Sequence, residues 1–396
     1  MSAAGRSRGD DVSSRLHVLT LTPFFPSRQN EVSGCFIAEP ITQLREFGVD
    51  SSVIAVTPIH YPRQMPSAAA LAEWVRFPQI PGNLGLSSAG RLLYARLLRR
   101  VQKLHAAKAI DVIHAHAALP CGHAAALLSK RLNIPFVVTL HGLDVFNTCF
   151  TGGMPALWRR KVSVDVYRAA RTVICISGKV QDVLKTGTTA EIRSTIVYNG
   201  VDPILFSPAP AMPALPDDEI LMVGNLQRSK GHELVLQAIA KLQTSFPKLR
   251  CRIIGEGPER GQFEALAREL GIAPQVQFVG RRSRSEVAEA MRRCAVFALP
   301  SRNEGLGCVY LEAMSCAKPL IGCRGQGIED VIAHGVNGWL IPADGLDELV
   351  QGLAGLLGSP EMCRRIGAAA RQTILEKLTL SHQAQRLAGI YRQAVP

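Results

Sequence analysis

The stretch PSRNEGLGCVYLEAMSC, residues 300–316, decides the fold class of this chain. It follows an apolar run typical of a buried strand, turns through Gly305 and Gly307, and enters an apolar helix. A glycine turn that opens a helix lets backbone N–H groups approach a phosphate, and the helix dipole favours the negative charge of that phosphate. The stretch therefore predicts a strand–turn–helix unit with an anion-binding turn.

Two carboxylates belong to this unit. Glu304 lies in the turn, and Glu312 lies about one and a half turns into the helix. One could contact a sugar while the other binds a ribose, because a carboxylate accepts two hydrogen bonds in the plane of a diol. The residues alone equally allow Glu304 as a helix cap and Glu312 as an exposed surface carboxylate.

Short β-branched runs alternate with helical patterns on both sides of this stretch. The predicted strands lie at residues 16–22, 53–56, 112–114, 136–139 and 172–175 in the first half, and at 220–223, 250–254, 276–279, 295–299, 319–322 and 338–341 in the second. Such alternation builds parallel sheets, whose ligands bind outside the carboxyl ends of the strands. We expect an α/β fold in which two Rossmann-like, doubly wound domains face each other across a cleft.

The chain length of 396 residues suits two domains of ~100–200 residues each. The proline-rich FSPAPAMPALPDD, residues 206–218, breaks the alternation and is the best candidate linker. The predicted organisation is a disordered lead (1–14), an N-terminal acceptor-side domain (15–207), a linker (208–218), a C-terminal nucleotide-sugar domain (219–378) and a final helix that packs back on the N-terminal domain (379–396).

The composition, with 47% hydrophobic and 19% charged residues, is that of an ordinary soluble globular protein. No apolar run reaches the ~18 residues that span a bilayer, and the first residues lack the apolar core of a signal peptide. The ten cysteines are scattered without a C-x-x-C pair or a zinc-site spacing, as expected of reduced thiols. These features predict a cytoplasmic protein.

The formal net charge of +13 favours partners that carry phosphate, including nucleotides and anionic lipids. Residues 92–108 combine leucines with arginines and lysines at helical spacing. They predict either an amphipathic helix suited to an anionic membrane or a core-packed helix with a solvated basic face, and the sequence alone favours the second. Nucleic acid is not an expected partner, because aromatics make up only 6% of the chain and form no RNA-binding signature.

Residues 300–316 resemble the E-x7-E signature of retaining glycosyltransferase family 4, a family with the GT-B fold. Further segments resemble this family in its own order along nearly the whole chain, at residues 114–145, 198–202, 222–240, 253–272 and 325–345. The resemblance implies sugar transfer from a nucleotide-diphosphate sugar to a hydroxyl of a glycan or lipid-linked acceptor, with retention of configuration. Residues 323–329 are similar to bacterial surface-polysaccharide transferases, including teichuronic-acid types, which implies a peripheral contact with the inner face of the membrane.

The resemblance also implies a role for each candidate site residue. Lys230 contacts the donor diphosphate, where its ammonium group neutralises the leaving group. The other implied contacts are the backbone of Leu306, Gly307, Cys308 and Val309 with the diphosphate, Glu312 with the ribose, Glu304 and His141 with the donor sugar, Arg281 near the base, and Gly34 in the loop that closes on the phosphates.

Some positions leave alternatives open. Asn225 stands where the family usually has an arginine, so either Arg228 supplies the charge or the site manages with less. By residue type alone, Lys230 could be a solvated loop lysine and His141 a core histidine. Asp144 could orient His141, bind the acceptor, or act as a helix N-cap.

Neither a metal nor a cofactor is expected, and the nucleotide sugar enters as a substrate. The chain has no D-x-D motif, and the spacing of His114, His116 and His123 fits no closed zinc set. Residues 255–258 lack the glycine pattern of a dinucleotide fingerprint, which argues against a NAD-dependent enzyme. Two alternatives to glycosyl transfer remain: a sugar-nucleotide 2-epimerase on the same fold, and a non-catalytic subunit that binds nucleotide or glycan.

Overall fold

The computed structural model describes residues 15–65, 72–82, 85–142, 144–146, 154–188, 191–209 and 218–396. The predicted lead and most of the predicted linker lie outside these ranges. The described residues form two α/β lobes, each with its own sheet: an N-lobe with strands β1–β7 and a C-lobe with strands β8–β13.

The N-lobe contains a seven-stranded sheet in the order β3-β2-β1-β4-β5-β6-β7, with every strand pair parallel. Its strands are β1 (Leu16–Thr22), β2 (Val49–Pro58), β3 (Glu73–Phe77), β4 (Val112–His116), β5 (Phe136–Leu140), β6 (Thr172–Cys175) and β7 (Ser194–Ile196). The central strands are nearly continuous apolar runs because helices cover both faces of a parallel sheet. All residues of β4 and β5 are buried, for example.

The helices of the N-lobe that the structure describes are α1 (Cys35–Leu44), α2 (Leu86–Ala107), α3 (His123–Leu132), α4 (Met154–Ala169) and α5 (Gly178–Gly187). In α2, Leu93, Leu97 and Val101 recur at helical spacing and are fully buried. The cations of the same helix, Arg91, Arg96, Arg99, Arg100 and Lys103, are exposed. The predicted basic helix therefore forms and packs its apolar stripe on the core.

The C-lobe contains a six-stranded parallel sheet in the order β10-β9-β8-β11-β12-β13. Its strands are β8 (Glu219–Val223), β9 (Arg250–Ile254), β10 (Val276–Gly280), β11 (Val296–Ala298), β12 (Leu320–Cys323) and β13 (Trp339–Ile341). Its described helices are α6 (His232–Leu242), α7 (Arg260–Glu269), α8 (Arg284–Arg293), α9 (Cys308–Ser315), α10 (Leu346–Leu357) and α11 (Pro360–Lys377). In both lobes the strand order reverses beside the first strand, the position at which α/β sheets bind ligands.

The last helix, α12 (Leu380–Ala394), returns to the N-lobe. Its buried Leu387 and Tyr391 share an apolar cluster with strand residues of the N-lobe such as Val18 and Val137. Thr379 starts the helix with a capping box, accepting the backbone N–H of His382 at 3.3 Å. The chain thus crosses between the lobes twice.

The expectation of two doubly wound α/β domains is confirmed by the two parallel sheets and their strand orders. Residues that follow the carboxyl ends of β5, β8 and β11 line one cavity, so the two sheets direct these ends toward a shared cleft. Within the described residues, none of the helices has the length and apolar character needed to cross a bilayer.

Candidate functional site

A cavity of about 310 Å³ lies in the cleft between the lobes. Most of the residues that the sequence singled out line it: His141, Asn225, Lys230, Glu304, Leu306, Gly307, Cys308, Val309 and Glu312. They come from one strand end of the N-lobe and two strand ends of the C-lobe, so chain topology assembles them from distant parts of the sequence.

Lys230 lies in a short 3₁₀ turn, Arg228–Lys230, between β8 and α6. This turn is fixed to the glycine-rich stretch, because the N–H of Arg302 donates to the carbonyl of Ser229 at 2.6 Å. The Lys230 ammonium group forms an ion pair with the Glu304 carboxylate, and both side chains are largely shielded from water. The two predicted residues therefore meet at one point of the cavity wall.

The glycine turn before α9 has the geometry that the sequence predicted. Gly307 adopts a left-handed conformation with φ of 78°, and α9 begins at the next residue, Cys308. A Cβ at Gly307 would lie 2.6 Å from the ring of Tyr310, so only glycine fits without displacement. The first N–H groups of a helix lack intrahelical partners, and here that end of α9 borders the cavity.

Glu312 is buried in the second turn of α9, with 4% of its surface exposed. Its Oε1 accepts a hydrogen bond from Nη1 of Arg284 at 2.7 Å. The alternative of an exposed surface carboxylate is therefore wrong. The partner, Arg284, is the first residue of α8 and is not among the residues that the sequence predicts for the site.

Arg284 also reaches the N-lobe. Its Nε lies 2.7 Å from Oε1 of Glu39 on α1, and its Nη2 donates to Oε2 of the same carboxylate at 3.0 Å. The guanidinium group also lies 4.9 Å from the centre of the Phe206 ring. No local motif marks this arginine, because its two carboxylate partners are 28 and 245 residues away in the chain.

His141 follows the carboxyl end of β5 and borders the cavity. Its Nε2 lies 3.0 Å from Nδ1 of His116, and the two rings are stacked at 20°. The ring of Phe36 packs on it with a centroid distance of 4.9 Å. Burial lowers the pKa of His141 to about 3, so its imidazole is neutral at physiological pH.

A second set of hydrogen bonds lies behind His141, around His114, whose ring centroid is 4.2 Å from that of His116. His114 bonds through Nε2 to the Thr139 hydroxyl and through Nδ1 to the Tyr391 hydroxyl, each at 2.7 Å. Alternation along neighbouring strands places His114 and His116 on one face of β4 and Thr139 on the same face of β5. The strand register could therefore have indicated this network. His123 lies elsewhere, in a groove between α2, α3 and α4.

Asp144 contacts the backbone of His141. Its Oδ1 accepts the N–H groups of His141 and Val145, each at 3.0 Å. Burial raises the pKa of Asp144 to about 6, opposed by these backbone hydrogen bonds. Its carboxylate therefore fixes the main chain at the end of β5.

Of the other predicted residues, Asn225 lines the cavity, whereas Gly34, Arg228 and Arg281 are not among its described lining residues. Gly34 precedes α1 with φ of 73° and lies so close to Phe24 that a Cβ would approach its carbonyl carbon to 2.5 Å. Asn225 borders the cavity and is exposed. Arg228 is exposed beside Glu259, at 3.7 Å, and Arg281 is exposed after β10; the described lining residues include neither of them.

Comparison with known proteins finds two family models along the chain. Residues 36–204 match the model of Glycosyltransferase Family 4, and residues 212–373 match that of Glycosyl transferases group 1. A D-inositol 3-phosphate glycosyltransferase of Thermobispora bispora is 30% identical over 319 residues, which cover 75% of this chain and 73% of the relative. An uncharacterized glycosyltransferase of Methanocaldococcus jannaschii is 29% identical over 265 residues, covering 66% of this chain and 70% of the relative.

Solved structures share the two-lobed architecture. Sucrose-phosphate synthase from Thermosynechococcus elongatus superposes with a TM-score of 0.76 at 19% identity, covering 96% of this chain and 99% of its own. Anabaena HepE, solved in complex with UDP and glucose, superposes with a TM-score of 0.75 at 20% identity, covering 96% and 100%. At these identities the likeness concerns the fold.

Proposed function

This chain belongs to the GT-B glycosyltransferases, with a family 4 N-terminal domain and a group 1 C-terminal domain, and on that premise we propose which transfer it performs. It moves a sugar from a nucleotide-diphosphate sugar to a hydroxyl of a glycan or lipid-linked acceptor, with retention of anomeric configuration. The observation that carries the proposal is the meeting of Lys230, the start of α9 and Glu312 around one cavity between the lobes. Lys230 and the start of α9 suit the diphosphate of such a donor, and Glu312 suits its ribose.

The transfer requires stabilisation of the negative charge on the leaving group. The bond between the sugar and the diphosphate breaks with negative charge developing on the leaving diphosphate. Once the donor is bound, the Lys230 ammonium group and the α9 N-terminus border the diphosphate and stabilise that charge. The acceptor oxygen attacks from the face that the diphosphate leaves, and a phosphate oxygen takes its proton.

Neutral His141 and Glu304 orient the donor sugar in this scheme. Because its pKa is lowered to about 3, His141 contributes hydrogen bonds and its neighbouring carbonyl rather than a positive charge beside the anomeric carbon. Glu304 exchanges its ion pair with Lys230 for sugar hydroxyls when the diphosphate arrives. Two fixed cationic elements at the diphosphate remove the need for a metal ion, so we propose transfer that is independent of metal.

The deciding experiment is a thermal-shift screen of nucleoside diphosphates and their sugars, followed by transfer assays with the donor that stabilises most. The acceptor panel includes inositol 3-phosphate, after the relatives, and lipid-linked and soluble glycans. NMR of the product assigns the anomeric configuration, and a parallel arm with EDTA tests the proposed independence of metal. An inverted product would refute the retaining mechanism.

The same assay separates the rival functions. An epimerase would convert the sugar nucleotide without any acceptor, so a changed sugar in that arm would replace the proposed function. The exposed Asn225, in place of a cation, favours the non-catalytic subunit as a second candidate. Binding of a sugar nucleotide without transfer or hydrolysis across the whole panel would support that candidate.

We also propose that the enzyme acts at the inner face of the membrane in surface-polysaccharide synthesis, and the basic helical face of its N-lobe supports the membrane contact. The exposed cations of α2 and the exposed apolar side chains at the start of α4, Met154, Leu157 and Trp158, belong to two helices that are in contact. Arg91 and Trp158 line the same groove, so charge and apolar surface adjoin. This combination suits anionic headgroups above an acyl layer.

Sedimentation with vesicles tests this location. The wild type is expected to sediment with anionic but not with neutral vesicles at low salt, and Arg96→Ala/Arg99→Ala to remain in solution. Arg364→Ala/Arg365→Ala, which removes two exposed cations from the C-lobe, is the matched control. Equal sedimentation of the two double variants would refute a specific basic face.

A further inference from the structure

Arg284 is the one described guanidinium that bonds to carboxylates of both lobes at the cavity. Its side chain retains only 18% exposure, and that of Glu312 only 5%. A charge removed from water to this extent is stable only with partners, and here Glu312 in the C-lobe and Glu39 in the N-lobe supply them. The bridge therefore depends on the relative position of the lobes.

We propose that Arg284 is a positioning residue that orients Glu312 for the donor ribose and, through Glu39, couples donor binding to closure of the lobes. The inference rests on the proposed function, because the contact between Glu312 and the donor ribose is part of that proposal. Neither the family models nor the resemblance assigns a role to Arg284 or Glu39.

The number of hydrogen bonds that each group can make supports this role. Arg284 occupies Oε1 of Glu312, which leaves Oε2 to accept from a ribose hydroxyl. A guanidinium group has five N–H donors in a planar fork, so it can hold Glu312 and Glu39 at once. The ammonium group of a lysine lacks this planar fork and would bind only one of the two carboxylates with good geometry.

The coupling follows from the position of Glu39. It lies on α1, the helix that begins beside the Gly34 loop, and it belongs to the N-lobe. Separation of the lobes would break the Glu39 bonds and leave the guanidinium with Glu312 alone. A ligand that prefers the fixed Glu312 rotamer then favours the closed lobes, and closed lobes favour that ligand by the same factor.

Three variants separate orientation from coupling. Arg284→Met should weaken binding of the best nucleoside diphosphate by about 100-fold, as expected when a buried charge pair loses one partner. Arg284→Lys should recover part of this loss. Glu39→Gln keeps the Arg284–Glu312 bond and should weaken binding only about 10-fold, through the lost coupling. Arg282→Met, which removes the exposed neighbouring arginine, should bind normally.

Calorimetry measures the dissociation constants, and small-angle scattering measures the radius of gyration with and without nucleotide. Nucleotide should compact the wild type more than Glu39→Gln, and the Glu39→Gln effect on binding should vanish in the Arg284→Met background. Additive effects of the two substitutions would overturn the coupling, and wild-type affinity in Arg284→Met would overturn the orienting role. Failure of the wild type to bind any nucleoside diphosphate would instead refute the proposed function.

Discussion

Substitution of Lys230 by methionine tests the electrostatic basis of the proposed transfer. The side chain becomes one atom shorter and loses its charge. The lysine side chain is 24% exposed, and that of its carboxylate partner is 15% exposed. A unit charge about 4 Å from an anion contributes about 4 kcal/mol at an effective dielectric constant of about 20. The leaving diphosphate gains roughly one charge in the transition state, so the loss falls mainly on kcat, by about 100- to 1,000-fold.

The assay is release of nucleoside diphosphate from the preferred donor in the presence of acceptor, with kcat and KM determined separately. Lys241→Met is the control: it makes the same substitution on α6, at a cation that pairs with Asp347 and whose side chain is 52% exposed. We expect that control to retain activity within about threefold, since exposed ion pairs contribute little.

Loss of Lys230 also leaves the Glu304 carboxylate without its cation. The unpaired charge could destabilise the fold and lower activity for that reason alone. Lys230→Met/Glu304→Gln removes both charges, and its melting temperature shows whether the unpaired carboxylate matters. A folded Lys230→Met variant with a wild-type kcat would refute the role of this lysine in stabilising the leaving group.

Three other predictions follow from the same structure. Gly307→Ala should weaken nucleotide binding and lower the melting temperature more than Gly325→Ala, because both glycines have φ near 70–80° but an added Cβ meets the Tyr310 ring only at the first; equal effects would contradict the packing argument. Burial lowers the pKa of both His114 and His141 to about 3. Below about pH 6.5 the unfolded chain therefore binds more protons than the folded chain. The free energy of unfolding should then fall as pH falls, by about 1.4 kcal/mol per pH unit for each histidine. Denaturant titrations from pH 7 to pH 5 measure this slope, and an unchanged slope in His114→Gln would contradict it. The cavity is lined by two cations and two carboxylates, whose charges cancel. We therefore expect kcat/KM for the donor to change less than about threefold between 50 and 500 mM salt, whereas vesicle binding should fall steeply. A steep fall in kcat/KM would show long-range steering by the +13 net charge.

The parts of the site that the sequence predicted are those encoded over short distances. The turn at Gly307 and the helix that follows are specified by neighbouring residues, and resemblance placed Lys230 and His141 beside them. Arg284 could not be found in this way, because its partner Glu39 is 245 residues away and only the docking of the lobes brings them together. His116 is an intermediate case, since β4 and β5 pair in parallel and the register of two adjacent strands suffices to place it beside His141.

The Lys230–Glu304 and Arg284–Glu312 pairs also explain how a cleft can hold so many charges before a ligand arrives. Lys230 and Arg284 each have a carboxylate partner in the cleft, so neither bears the cost of an isolated charge. In the proposed function only the first pair exchanges partners: the diphosphate takes Lys230 and the sugar hydroxyls take Glu304. The ribose takes the remaining oxygen of Glu312, and Arg284 keeps its bond. A ligand that offers the diphosphate without the sugar would leave Glu304 unpaired. The intact donor should for this reason bind in a more closed and better satisfied cleft than its nucleotide product, which favours release of the product after transfer.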